Sequence, residues 1–392
     1  MIPAVHIAVP SLTTLGLHLT DGHVPKLKEF LDTVGDLCPN IEEFFISIPR
    51  PHDFDETICG YIRRLKNLQK LCSDGISLDA DMILGLSEKS TLKHLLITLE
   101  PDTLDWVPSF PSPPIFPTLI FLEISCELLE PYDSLEPIIG LLSCIRIPAL
   151  EHLGANITGY PSEEAFRSYI MTVRNICSSD SLLGFKFCGG ECFPIPDSQS
   201  VDPDYQLTLD NVRPCTTFVN LRALDINLAL WSVELTDNDM LVLVSAWPHL
   251  QYLGINDQWG WRTAGGITLR GLSQLLQARQ SLSYLCVAID TESYTDLPPS
   301  FKTESHPAPT SLTINLANSR IPKPEDVPAL VEAFGKLGLQ TCSFLAWEGA
   351  EMGNDVLDTF AQNEEWSRVF DEMTQAPEAV EEQKLTGNAK SG

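Results

Sequence analysis

Apolar residues recur along this chain in one phrase, h-x-x-L-x-h, where h is apolar and the residues between are mostly polar. Clear copies stand at Leu12/Leu15/Leu17, Ile41/Phe44/Ile46, Leu92/Leu95/Ile97, Leu119/Leu122/Ile124, Leu221/Leu224/Ile226, Leu250/Leu253/Ile255 and Leu282/Leu285/Val287. Weaker copies fill most gaps, at Leu68/Leu71, Leu150/Leu153/Ala155, Leu182/Phe185/Phe187, Pro309/Leu312/Ile314 and Leu339/Cys342/Phe344. Eleven intervals between first positions span 327 residues, about 30 each, a period that belongs to a solenoid. In each phrase the second and third apolar positions lie two apart, which places both on one face of a short strand and turns the residues beside them to the other face. A unit of this size cannot bury its apolar strand face alone, so neighbours must stack and share a continuous core. Prolines just before several phrases (Pro10, Pro39, Pro117, Pro148, Pro248) end the preceding element and lead the chain into the strand.

Between the phrases the apolar spacing becomes helical. Leu27, Phe30, Leu31, Val34 and Leu37 follow it, as do Ile58, Tyr61, Ile62 and Leu65; Met240, Leu243, Val244 and Trp247; and Val327, Leu330, Val331, Phe334 and Leu337. Thr236 ahead of Asp237 to Trp247 and Pro324 ahead of Glu325 and Asp326 read as helix starts, and a further helix is expected over Ile267 to Ala278. The predicted fold is an α/β leucine-rich-repeat solenoid over residues 1–350, with parallel strands on the concave face and helices and extended segments on the convex face. Six prolines between Pro101 and Pro117 predict an extended crossing there. Gly189 to Cys215, where one interval stretches to 39 residues, and Asp290 to Pro309 are expected to form surface loops. Apolar residues between Asp355 and Met373 predict a capping helix within 351–376, and 377–392 reads as a disordered tail.

Composition changes the picture in two ways. Hydrophobic residues make up 44% of the 392 and charged ones 20%, enough for a core. The net charge of -28 weighs against nucleic acid or an anionic membrane as partner and favours a basic protein. No signal peptide or membrane-spanning stretch is legible, so a cytoplasmic or nuclear location is expected. There the eleven cysteines stay reduced, with Cys38, Cys177 and Cys342 at core positions. The Asn156-Ile157-Thr158 sequon falls on a predicted strand and is expected to go unused.

A search for chemistry finds no nucleophile elbow, phosphate-binding glycine loop, dinucleotide fingerprint or zinc-helix motif, and no catalytic residue, metal site or cofactor is expected. Cys188-Gly-Gly-Glu-Cys192 lacks two further ligands for a structural zinc and reads as a pair of loop cysteines. His94 and His152 share a column on the concave face but sit two strands apart, roughly 10 Å, too far to share a metal. Tyr252 and Tyr284 occupy that column in adjacent repeats, so their rings should lie about 5 Å apart, with Phe121 further back. They are candidate anchors for a protein partner, the alternative being cross-strand packing that stiffens the sheet. Trp259, Trp261 and Arg262, in the loop after the Leu250 to Ile255 strand, form a candidate interface hot spot, the alternative being a tryptophan folded down to plug the core.

The words Leu235-Thr-Asp-Asn-Asp239, Trp247-Pro-His-Leu-Gln-Tyr-Leu253, Trp259-Gly-Trp-Arg262, Ile267-Thr-Leu-Arg-Gly-Leu272, Leu282-Ser-Tyr-Leu-Cys-Val287 and Leu316-Ala-Asn-Ser-Arg-Ile321 resemble the large F-box and leucine-rich-repeat family of mushroom-forming fungi. The resemblance implies repeats that hold a protein substrate while an N-terminal F-box docks on the adaptor of a cullin-RING ubiquitin ligase. This chain has no F-box pattern, so the adaptor is an expected partner only if an F-box lies upstream. The sequence reading favours a segment preceding Met1, the alternative being that Met1 to Pro10 pairs as a strand onto the sheet edge. The expected function is non-enzymatic protein binding, resembling the substrate-recognition arm of such a ligase. The rivals are a ligase-independent scaffold or inhibitor, and an enzyme with a pocket built from the Gly189 to Cys215 loop.

Overall fold

A computed structural model describes residues 10–18, 27–47, 55–74, 80–99, 110, 112–126, 135–190, 205–262, 266–296, 312–321, 323–339, 342–346 and 361–374. The chain divides into two compact units, Met1–Pro194 and Ile195–Gly392.

In the first unit, strands β1 (Thr14–His18), β2 (Glu43–Ser47), β3 (Lys70–Asp74), β4 (His94–Leu99), β5 (Phe121–Cys126), β6 (His152–Ile157) and β7 (Gly184–Gly189) alternate with helices α1 (Leu27–Leu37), α2 (Asp55–Arg64), α3 (Ala80–Ser87), α4 (Glu136–Cys144) and α5 (Glu163–Ile176). Every neighbouring pair of strands is parallel and in register, with equivalent phrase positions side by side: Leu71 faces Leu95, Leu95 faces Leu122, and Leu122 faces Leu153. The alternation is visible in β4, where Leu95, Ile97 and Leu99 are buried and His94, Leu96 and Thr98 are half-buried on the open face. A βα unit that returns each strand parallel to the last, at the repeat period, is the leucine-rich-repeat α/β solenoid that the phrase predicts.

The second unit repeats the plan with β9 (Ala223–Leu228), β11 (Tyr252–Ile255), β13 (Tyr284–Cys286), β15 (Thr313–Asn315) and β16 (Ser343–Leu345) as parallel neighbours. The helices are α6 (Leu209–Val212), α7 (Asp237–Ala246), α8 (Leu269–Ala278) and α9 (Val327–Lys336). Two short parallel pairs form a second row: β8 (Gln206–Leu207) with β10 (Ser232–Val233), and β12 (Ile267–Thr268) with β14 (Ile289–Asp290). A helix over 361–374, α10, closes the far edge. Its Trp366 is fully buried and donates Nε1–H to Ser319 O at 2.8 Å, and its Phe370 stacks on Phe344 of β16 at 5.2 Å.

Several expectations need correction. The stretch from Gly189 to Cys215 is not all surface loop, because Leu207, Val212 and Cys215 are buried and β8 pairs into the second strand row; residues 191–204 lie outside the described ones, Cys192 among them. Cys188 is a fully buried strand residue of β7 rather than a loop cysteine, because the strand continues to Gly189. Cys342 is only half-buried, since β16 is the last strand of its sheet among the described residues. The helix expected from Ile267 begins at Leu269, with Ile267 and Thr268 taken by β12 and Thr268 serving as its N-cap. Between 112 and 120 the proline-rich crossing contains no helix, Ile115 bridging instead to Arg146; its earlier part, the tail 377–392 and Met1 to Val9 lie outside the described residues.

Hydroxyl groups tie one repeat to the next. The residue just before the phrase donates its hydroxyl to the carbonyl of the first leucine one repeat earlier: Thr91 to Leu68, Thr118 to Leu92 and Ser281 to Leu250, at 2.8, 2.8 and 2.7 Å. Helix ends are closed from the next repeat as well. Lys89 Nζ donates to Leu65 O at 2.8 Å, and Arg279 Nε donates to Val244 O at 2.6 Å, where the C-cap Trp247 N–H also donates, so carbonyls at the helix ends gain donors from the next repeat.

One core position is polar without reason in the fold. Ser73 of β3 is 2% exposed, lies between Ile46 and Ile97 in register, and its Oγ has no partner among the described residues. A buried hydroxyl left unpaired costs about 1–3 kcal/mol. Ser73→Val is therefore expected to stabilise the first unit by about 1–2 kcal/mol, read as a higher urea midpoint at unchanged slope. A lower midpoint would mean that the hydroxyl has a partner in solution.

Candidate protein-binding surface

Side chains at alternate strand positions stand on the open face, away from the helices. In the second unit the central pair is Tyr252 and Tyr284, directly opposite in the β11–β13 register. Their rings are parallel within 7°, with centroids 4.4 Å apart, so the stack expected from the sequence is formed. Gly254, two residues after Tyr252, makes this possible. The Tyr252 ring leans along its own strand until Cε1 stands 2.9 Å and the phenol oxygen 3.2 Å from where a Cβ of residue 254 would be.

The turn after β11 supplies the polar half of the site. Asn256 adopts φ 51°, a left-handed conformation that Asn tolerates better than most residues. Its side chain accepts from Leu228 N at 2.6 Å and donates to Trp231 O at 3.2 Å. Thus anchored, the turn sets Asp257 against the stack. Both phenols donate to the same oxygen, Asp257 Oδ2, at 3.1 and 3.2 Å, and Asn315 Nδ2 donates to the Tyr284 oxygen at 3.2 Å. Asp257 Oδ1 is buried with no partner among the described residues. Burial pushes both phenols far above their ordinary range; the charges of Asp225 and Asp257 add to this at Tyr252, and Asp257 adds to it at Tyr284. Both therefore remain protonated donors at any physiological pH. The stack is the cross-strand packing weighed from the sequence, and it is half-buried on the open face of the sheet.

In the first unit Phe121 stands between His94 and His152, with centroids at 5.9 and 6.1 Å. Gly184 next to His152 leaves room for its ring, which would collide with any Cβ there. Burial and the charges of Lys70 and Lys93 hold the His94 imidazole below its usual value. The next column adds Phe45 and Leu96, both half-buried, with Lys70 Nζ 5.1 Å from the Phe45 ring centroid. Phe45 and Leu96 are not among the residues singled out from the sequence, although apolar residues at outward strand positions are the signal that finds them. Glu43, Asp74 and Glu123 share this face, so its charge is mixed, and Asn156 donates Nδ2–H to Glu123 Oε1 at 2.7 Å. Among the described residues no three His, Cys, Asp or Glu side chains are grouped to hold a metal ion.

The tryptophan loop behaves differently from the interface expectation. Trp259 is 6% exposed and Trp261 is fully buried, so neither offers contact area to a partner. Trp261 Nε1 donates to Ile255 O at 2.9 Å and its backbone N–H to Asn318 Oδ1 at 2.7 Å. The indole closes the core beneath the loop, which is the plug alternative. Gly260 at φ 72° and Arg262 at φ 55° provide the left-handed turns that fold it inward. Arg262 is half-buried.

The Ile267-Thr-Leu-Arg-Gly-Leu272 word is structural too. Asp237, at the start of α7, accepts from Thr268 N and Oγ1 at 2.8 and 2.6 Å, and Thr268 Oγ1 in turn accepts from Gly271 N at 3.0 Å. A Cβ at Gly271 would collide with the Asp237 carboxylate. Two consecutive helices are thus interlocked through one carboxylate, one threonine and one glycine.

No protein-family model matches the chain, and no curated protein matches it. Among solved structures it is similar to an internalin from Listeria monocytogenes, at TM-score 0.35 and 11% identity over 90% of this chain and 85% of that one. It is also similar to the yeast Rad7 and Elc1 complex, at TM-score 0.41 and 16% identity over 79% of this chain and 76% of that one. At these values neither likeness bears on what this chain binds.

Proposed function

We propose that the chain is a non-enzymatic protein-binding solenoid that takes its partner on the open faces of its sheets, and that it serves as a substrate-recognition arm of the F-box type. The observation that carries the first part is aromatic surface where solvent-facing polar residues would be expected: Tyr252 and Tyr284 in one unit, Phe45 and Phe121 in the other, all half-buried at strand positions. Apolar area of this kind gains about 25 cal/mol per Å² when a partner covers it, and tyrosine is enriched at interface centres. The recognition-arm part rests on the family resemblance of the 235–321 words. It implies a location in the cytoplasm or nucleus, and an adaptor contact made by an F-box outside this chain.

The test is affinity capture with the tagged chain. A partner bound by the wild type is expected to lose about 30-fold or more in affinity, about 2 kcal/mol, with Tyr252→Ala/Tyr284→Ala or Phe121→Ala, while the circular dichroism spectrum is retained. Recovery of no partner, or of partners indifferent to all three substitutions, overturns the reading. Adaptor co-purification with a chain carrying an N-terminal F-box, and not with this chain alone, separates a ligase arm from a free-standing scaffold.

A further inference from the structure

The open face of the first unit carries one place where the local charge runs against that of the chain as a whole. Lys70 on β3 and His94 on β4 are partners in register, and Lys93 stands one residue ahead of His94 at the entry of its strand. Lys93 is exposed, and Lys70 and His94 are half-buried. Backbone hydrogen bonds flank Lys93 with Gln69 on one side and Ile120 on the other, neither of them charged. The turns entering β3, β4 and β5, residues 65–69, 89–93 and 116–120, carry Lys66, Lys89 and Lys93 and contain no carboxylate.

Carboxylates do lie on this face, but each is held elsewhere. Glu43, next to Lys70 in the row, accepts from Thr14 Oγ1 on β1 at 3.4 Å, on the side away from Lys70. Glu123 extends across Gly154, its Cγ 3.3 Å from where a Cβ there would be, and accepts from Asn156 on β6. Asp74, at the far end of β3, accepts from Ser47 Oγ at 3.0 Å. Among the described residues no carboxylate forms an ion pair with Lys70 or Lys93. Lys70 Nζ stands instead 5.1 Å from the Phe45 ring centroid. The crowding is felt at His94, where burial, then Lys70 and Lys93, and more weakly His152 on β6, hold the imidazole below its usual value, with Glu43 opposing them. Its neighbour on β5 in the same row is the uncharged Phe121.

Two ammonium groups without a counterion, an imidazole beside them and the rings of Phe45 and Phe121 alongside complement a carboxylate on an apolar background. A basic side chain would add a third positive charge, and a neutral amide would gain hydrogen bonds without the charge. A carboxylate accepts about four hydrogen bonds, and those it takes from ammonium groups are charge-assisted. We propose that a glutamate or aspartate side chain of the protein partner docks among Lys70, Lys93 and His94, with an adjacent apolar residue of the partner against Phe121. The inference rests on the protein-binding reading and names the partner's anchoring group. The incoming negative charge cancels the repulsion that keeps His94 neutral, so docking draws a proton onto the imidazole.

The experiment is an NMR titration of the full chain, labelled at its histidine rings, with acetyl-leucyl-glutamate methylamide, its glutamine counterpart and, separately, inorganic phosphate. The glutamate compound is expected to shift the His94 ring signals saturably and to move the His94 titration to higher pH. The glutamine compound, which keeps the shape and loses the charge, should bind about ten-fold more weakly or not at all. Because the bound imidazole keeps its proton to higher pH than the free one, glutamate binding should be weakest above both midpoints and strongest below both, tightening as the pH falls from about 8 to about 5.5. Lys93→Gln should weaken it about ten-fold, and raised salt should weaken it too. Equal responses to the glutamate and glutamine compounds, glutamate binding that ignores pH, or an unaffected Lys93→Gln chain would each overturn the proposal. Phosphate binding as tight as that of the glutamate compound would overturn the assignment to a protein carboxylate. The glutamine comparison uses the wild type and so does not depend on any variant folding. The two readings also fail separately. A captured partner that depends on Phe121 but is indifferent to Lys70→Gln/Lys93→Gln keeps the protein-binding reading and removes the acidic anchor.

Discussion

Trp261→Ala is expected to cost the second unit about 3–5 kcal/mol, the largest loss from any single truncation in its loops. The indole is fully buried, fills the space beneath the turn after β11, and holds Ile255 O through Nε1–H. Truncation leaves a cavity too large for the loop to collapse into, and it leaves a buried carbonyl without its donor, a second penalty of about 1–3 kcal/mol that relaxation partly offsets. Trp261→Phe keeps most of the volume and should cost about 1–2 kcal/mol, which separates packing from the hydrogen bond. Urea denaturation followed by tryptophan-independent circular dichroism is the measurement. A loss below about 1 kcal/mol for the alanine variant would show that the loop does not seal the core. The same substitution should also weaken binding at the Tyr252–Tyr284 stack, because the turn that positions Asp257 is tied by Gly260 N to Asn256 O at 2.8 Å and rests on this plug.

Gly271→Ala should be nearly as damaging, against the ordinary expectation for a helix. Exchanging glycine for alanine inside a helix normally gains about 1 kcal/mol. Here the added methyl collides with the Asp237 carboxylate and displaces the hydrogen bonds that hold Thr268 N and Oγ1. Overpacking of about 1–3 kcal/mol together with the lost charge-assisted bonds outweighs the propensity gain, for a net loss of about 2–4 kcal/mol. The two residues touch, so their effects must couple. Asp237→Ala costs stability alone, yet in the Gly271→Ala chain it should restore part of what was lost. Additive effects in that double-mutant cycle would refute the interlock.

The comparison of these two positions with the tyrosine pair shows what kind of information the chain carries. Tyr252 and Tyr284 were legible as neighbours because a parallel sheet in a repeat solenoid obeys two rules at once: alternate residues share a face, and equivalent residues share a row. Their spacing then follows from the distance between strands. Asp257 was not legible as their partner. It lies in a turn whose direction depends on the left-handed Asn256 and on Leu228 and Trp231, which are far away in sequence. The tryptophans misled for a related reason. A Trp-Gly-Trp-Arg loop reads equally as exposed hot spot or inward plug, and only the cavity under the turn and the acceptor at Ile255 O decide between them.

The sequence by itself therefore determined the repeat, the strand faces, the parallel register and most helices, because each depends on local periodicity and on the need of every unit to share its core with the next. It also determined the acidic character of the chain. Tertiary structure alone decided which outward residues remain accessible, which carboxylate meets the tyrosine pair, and that the second strand row claims Ile267 and Thr268. Those outcomes depend on turns and side-chain contacts between repeats, where the balance of burial against hydrogen bonding is set by residues some 30 positions apart, as in the Asn256 to Leu228 and Thr268 to Asp237 bonds.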